Sequence, residues 1–120
     1  MTAGSIVATL LIVLAGLLAV PAVSHTNAGT TFSLMASSMA FVAMGIAQFM
    51  ATRPPVIEKL FGGLDRIYHF HRKLGIAVLC LILVHYFLTP DFQGLAVTSG
   101  LNILAATAGE WAFYGFVFLI

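Results

Sequence analysis

The chain has 120 residues, 61% of them hydrophobic, with five Lys or Arg, four Asp or Glu and a formal net charge of +1. An average soluble domain is about a quarter charged, so a water-soluble core does not account for this composition, and the small net charge offers no electrostatic footprint for nucleic acid. Cys80 is the single cysteine, which excludes an intrachain disulfide and a Cys-rich metal site.

About twenty apolar helical residues cross a bilayer's hydrocarbon, and residues 4–23 make the first such stretch. Its apolar core followed by Pro21-Ala22-Val23-Ser24 also has the form of a secretory signal, but no Lys or Arg precedes the core, which favours a retained helix. A second uncharged stretch covers residues 32–52 and is stopped by Pro54-Pro55. Within it Ser33, Ala36, Ala40, Ala43, Ala47 and Ala51 recur at spacings of three or four. They form one smooth helix face on which another backbone, or a flat macrocycle, can come close. Met35, Met39, Met44 and Met50 are scattered around the same helix and read as flexible packing residues, although methionine sulfur is also able to ligate haem iron.

Gly62-Gly63 reads as a turn into a third span, about residues 65–89, stopped by Pro90. Cys80 lies inside that span and is expected to be a small buried hydrophobe. A fourth helix is expected to open at Gly109-Glu110-Trp111; by Ile120 it has risen only about 15 Å, and a helix ending halfway through hydrocarbon leaves carbonyls unpaired. The expected fold is therefore all-α: a polytopic transmembrane helix bundle, read as the N-terminal part of a longer protein, with three full spans and the start of a fourth. There is no internal repeat and no nucleotide-binding glycine motif.

Arg53, Lys59, Arg66, Arg72 and Lys73 all fall around the junction of the second and third spans. Basic loops stay cytoplasmic, which places the N-terminus in the cytoplasm and residues 24–31 and 90–109, with Asp91, outside. Tyr68 then belongs at the inner interface, with Tyr86, Trp111 and Tyr114 towards the outer one, where such rings are enriched.

Four histidines remain. His71 and His85 are fourteen residues apart on the third span, hence about 40° apart around a helix and roughly 21 Å apart along it. Two potential ligands thus share one face, one near each membrane surface. An ionisable group inside a span marks a functional site by default, and neutral imidazole is the commonest metal ligand, so two stacked haems are the simplest chemistry. Proton relay, or an interfacial His71 beside an isolated hydrogen-bonded His85, competes with this on spacing alone. His69 is about 160° away from the His85 direction, and His25 lies in the first outer loop with a solvated side chain as its default.

The sequence around the pair carries more information. Arg53-Pro54-Pro55, then the run from Leu60 through Gly62-Gly63-Leu64-Asp65-Arg66 to Phe70-His71-Arg72-Lys73-Leu74-Gly75, then His85, closely resembles the ferric reductase-like transmembrane domain of NADPH oxidases and bacterial flavocytochrome relatives. The detailed likeness covers about residues 53–86. It implies a six-helix domain, of which residues 1–120 are an incomplete part, with two b-type haems. His71 matches the inner ligand and His85 the outer, and a later helix supplies the second pair.

The same resemblance implies membrane electron transfer in an oxidoreductase, from a cytoplasmic flavin and NAD(P)H donor, through both haems, to an external acceptor such as ferric iron or oxygen. FAD and NAD(P)H would act through domains or a reductase partner not contained in this chain. The other partners implied are the lipid bilayer and the remaining helices, and the location is a bacterial inner membrane. A haem-bearing subunit feeding a separate periplasmic enzyme, and a cofactor-free helical scaffold or channel component, are the competing functions. Arg72 is expected either to neutralise a haem propionate or to snorkel at the inner surface. Gly75, one turn beyond His71, is expected to leave room for the porphyrin or a neighbouring helix.

Overall fold

A computed structural model of the chain describes residues 2–21, 28–88 and 100–119. Among them the ordered elements are helices, as expected, with no strand. The chain divides into two units, Met1–Pro90 and Asp91–Ile120.

In the first unit, α1 (Ala3–Ala19) is opened by Thr2, whose side chain accepts from the Ser5 backbone N–H while the Ser5 hydroxyl donates to the Thr2 carbonyl at 2.8 Å. This satisfies a helix-start donor that otherwise lacks a partner. The helix has 17 residues, about 25 Å, and ends before Pro21. It is therefore shorter than the expected span of residues 4–23, because its last hydrogen bonds close at Val20.

The second span, α2 (Ala28–Ala51), begins four residues before its expected start, and the third, α4 (Leu64–Leu88), falls within a residue of expectation at either end. These two helices are long and apolar enough to cross a membrane. Only 22% of the α2 window and 17% of the α4 window is buried, whereas the core helix of a soluble protein is mostly buried. Leu18, Phe41, Ile76 and Phe87 all point outward. Apolar side chains displayed outward suit lipid or further helices.

Packing between these helices relies on small residues. Ser33, Ala36, Ala40 and Ala43 of the predicted stripe are buried, together with Thr30 and Met50, and α2 makes its most extensive interface with α4. The stripe departs from prediction at its end: Ala47 is half-buried, Ala51 is exposed, and Met50 takes the buried place. On α4 the facing seam is Ile67, Leu74 and Val78. Ser33 meets His85, and Met50 and Ile67 share a groove, so the two helices run antiparallel. On its other side α2 holds α1. A Cβ on Gly16 would collide with the Met39 side chain, and the Ser38 hydroxyl reaches the Ala15 carbonyl at 3.2 Å, as expected where close backbone approach replaces a hydrophobic driving force.

A short helix, α3 (Pro55–Phe61), was not expected in the connecting segment. Its boundaries follow from proline in the first turn and from Gly62 in the left-handed conformation at φ 73°, whose N–H closes on the Glu58 carbonyl. Burial of Ile57 and Phe61 anchors it. Gly4 of α1 lies beneath the Phe61 ring, and Phe61 in turn packs on Phe70 of α4 with centroids 5.2 Å apart.

The second unit contains α5 (Gly100–Leu119), 20 residues long. The expectation of a loop to residue 109 is corrected: Ile103-Leu104 and the alanines that follow are good helix formers, and Glu110 sits in mid-helix instead of opening it. Three full spans and the start of a fourth is thus too simple a description. There are two strong apolar spans, a shorter α1, and an α5 of about 30 Å interrupted by one carboxylate.

Candidate functional site

Because α4 is continuous from Leu64 to Leu88, His71 and His85 are carried on one rigid element. Helical geometry sets them about 21 Å apart along its axis on neighbouring lines of the same face. Their surroundings differ.

His85 is half-buried against α2. Its Nδ1 lies 3.0 Å from the Ser33 carbonyl oxygen and 2.9 Å from the Ser33 hydroxyl, and that hydroxyl donates to the His85 carbonyl at 3.2 Å. A carbonyl oxygen only accepts, so the contact assigns the ring hydrogen to Nδ1 and the lone pair to Nε2. This is the arrangement in which a ligating histidine donates its other ring N–H to a carbonyl and presents the remaining nitrogen to a metal. The fit to a haem iron is therefore favourable at this position. Contact between Ser33 and His85 spans 52 residues of sequence and depends on the small Ser33 being 1% exposed within the α2–α4 seam.

His71 is exposed and lines an open groove with Met50, Arg53, Ile67 and Tyr68. Arg53, with a left-handed φ of 50° just beyond α2, is the basic residue of that groove. Arg72, singled out from the sequence for its adjacency to His71, does not line it. Proximity along a helix misleads here because consecutive residues diverge by about 100° around the axis, whereas Arg53 arrives from another element. Groove and seam put the basic Arg53 at the end of the α2–α4 pair opposite Ser33 and His85.

His69 lies elsewhere, as its angular offset required. It forms an exposed i,i+4 pair with Asp65 at 3.8 Å and lines a separate groove with Thr2, Ser5, Phe61 and Lys73. His25 lies outside the described residues. Cys80 is exposed on α4, not buried as expected, because the buried seam passes through Leu74 and Val78 and leaves position 80 off its line. Met39 and Met50 fill space against α1 and in the α2–α4 seam, consistent with packing. No heavy atom beyond the local helix lies within 4 Å of a Cβ built on Gly75, so no described helix explains its small size.

Residues 36–120 match the model of a family described as ferric reductase like transmembrane component. The matched stretch contains both α4 histidines. No curated protein and no solved structure matches the chain.

Proposed function

Because the chain belongs to the ferric reductase-like transmembrane family, we propose that it is the haem-bearing part of a membrane oxidoreductase, with His71 as an axial ligand to an inner b-type haem and His85 to an outer one. At the coarser level the assignment follows directly from the family and the two long apolar helices: this is an integral membrane protein of transmembrane electron-transfer type. The observation that carries the finer reading is the pair of histidines on one face of α4, with the Ser33 carbonyl 3.0 Å from Nδ1 of His85, the hydrogen bond that orients a ligating imidazole.

Bound haem supplies reversible one-electron uptake at iron, tuned by axial ligands and their hydrogen bonds. The chain's own contribution is positional. α4 sets the spacing between the two ligand sites, and the tight seam of Ala36, Ala40 and Ala43 holds α2 close enough to α4 for Ser33 to reach His85. Arg53 brings to the His71 groove a guanidinium suited to carboxylates such as haem propionates. The donor in this reading is a cytoplasmic flavin and NAD(P)H domain or partner, and the acceptor is external, ferric iron or oxygen. The clustering of basic residues around α3 and the start of α4 supports a cytoplasmic location for that end, and with it a cytoplasmic N-terminus.

The test uses the full-length protein in membranes. His85→Ala and His71→Ala should each reduce haem content from two to one, and redox titration should show a different component lost in each variant, while His69→Ala keeps both. Two haems with unchanged potentials in both ligand variants would overturn the assignment. Orientation is tested separately: with Lys59→Cys and Cys80→Ser combined, a membrane-impermeant thiol reagent should label position 59 only from the cytoplasmic side. Labelling from outside intact cells would reverse the topology.

A further inference from the structure

The most specific polar contact between α2 and α4 is the two-way link between Ser33 and His85. Ser33 is almost wholly buried, and its hydroxyl has two partners on the same residue. It donates to the His85 carbonyl at 3.2 Å and lies 2.9 Å from Nδ1, while the Ser33 carbonyl accepts from that same Nδ1 at 3.0 Å. A hydroxyl has one hydrogen and two lone pairs. With its hydrogen committed to the His85 carbonyl, it is left as an acceptor towards Nδ1. Both oxygens of Ser33 therefore face a single ring N–H, which fixes the tautomer and the rotation of the imidazole together.

The placement also explains why a serine stands at the head of the run of alanines on the α2 face. Alanine at position 33 would permit the same close helix approach but would leave only the carbonyl to orient the ring. A larger residue would push the helices apart. Serine is small enough for the seam and still supplies an acceptor.

We infer that Ser33 is a positioning residue: by hydrogen-bonding Nδ1–H it orients His85, raises the electron-donating power of Nε2 and holds the outer haem at a lower potential than an unsupported histidine would. This rests on the reading of His85 as an axial ligand. Hydrogen bonds from a ligating imidazole to an acceptor raise its basicity, and a more basic ligand favours the ferric state, which sets the direction of the effect on potential. Ser33 itself does not touch the cofactor.

The experiment is redox titration with low-temperature electron paramagnetic resonance on the full-length membrane protein carrying Ser33→Ala, Ser33→Thr and Ser33→Val. Thr and Val have nearly the same shape and differ in the hydroxyl. Ser33→Ala should retain two haems and show a positive shift in potential, with altered ferric g-values, for the haem that His85→Ala removes. Thr and Val crowd the seam alike, so the difference between them reads the hydroxyl alone. The other haem should be unchanged, and Ser33→Thr should lie closer to the parent protein than Ser33→Val does. Selective loss of that same haem in Ala and Val, restored in Thr, carries the same meaning. Unchanged potentials and g-values in Ser33→Ala, or equal disturbance in Thr and Val, would overturn the inference by reducing Ser33 to a packing residue. If His85→Ala itself leaves both haems in place, the ligand assignment has failed, a result distinguishable from failure of the role given to Ser33.

Discussion

At the C-terminal end of α4, His85 is half-buried, and Ser33 of a neighbouring helix engages both its ring and its carbonyl. Near the N-terminal end of the same helix, His71 is exposed in a groove bounded by Met50, Arg53 and Tyr68, and among the described residues its ring makes no hydrogen bond. The same residue type on the same helix face thus lies in two environments. Orientation of His85 is built into the α2–α4 seam, where small side chains bring backbones close enough for one serine to meet a histidine. At the His71 end, the stack that runs from Gly4 and Phe61 to Phe70 ties α1 and α3 to the stretch of α4 that carries the histidine. A ligand position near a membrane surface needs orientation from whatever packs around it, and the two ends have drawn that support from different helices.

The largest separation of the two ends should come from Ala36→Leu. Ala36 is 5% exposed, one turn from Ser33 on the buried face of α2, and overpacking there costs about 1–3 kcal/mol. The outer haem should be lost or strongly shifted in potential while the inner one persists, as read by haem content and redox titration. Equal damage to both would mean that the seam supports α4 as a whole and not the His85 end.

Gly4→Leu tests the other end. A Cβ at position 4 lies 2.5 Å from the Phe61 ring, so the larger side chain must displace α1 or α3, again at about 1–3 kcal/mol. Reduced thermal stability of the membrane protein should accompany a change confined to the inner haem. An effect on the outer haem alone would break the comparison.

The smallest effect is expected from Gly75→Leu. Open space surrounds Gly75 among the described residues, so folding of the first unit should be undisturbed. If the residue's small size serves the inner haem, the potential or occupancy of that haem should shift at normal expression, with the outer haem constant. Normal spectra for both would show that position 75 tolerates bulk.

Much of this arrangement was legible from residue pattern. The limits of α4, the shared face of His71 and His85, the divergence of His69 and most of the small-residue stripe on α2 follow from composition and helical period, which act over a few turns of chain. Helix α3 was legible in principle, since Pro55 and Gly62 bracket it as proline and glycine commonly bracket a helix, but its seven residues were hidden inside a basic connecting segment. The start of α5 was obscured by Gly109 and Glu110, residues that often mark a helix boundary but here lie within the helix.

The amino-acid sequence by itself determined that this is an all-helical membrane protein, which helix carries the two candidate ligands and how far apart they lie, because hydrophobic length and helical repeat are local properties of the chain. Tertiary structure alone decided which nitrogen of His85 carries hydrogen, that Arg53 and not Arg72 lines the His71 groove, and that Cys80 lies off the buried seam. The physical reason is the same in each case. A hydrogen-bond partner 52 residues away, a guanidinium arriving from another element and the side of a helix that a neighbour covers are settled only when the helices pack.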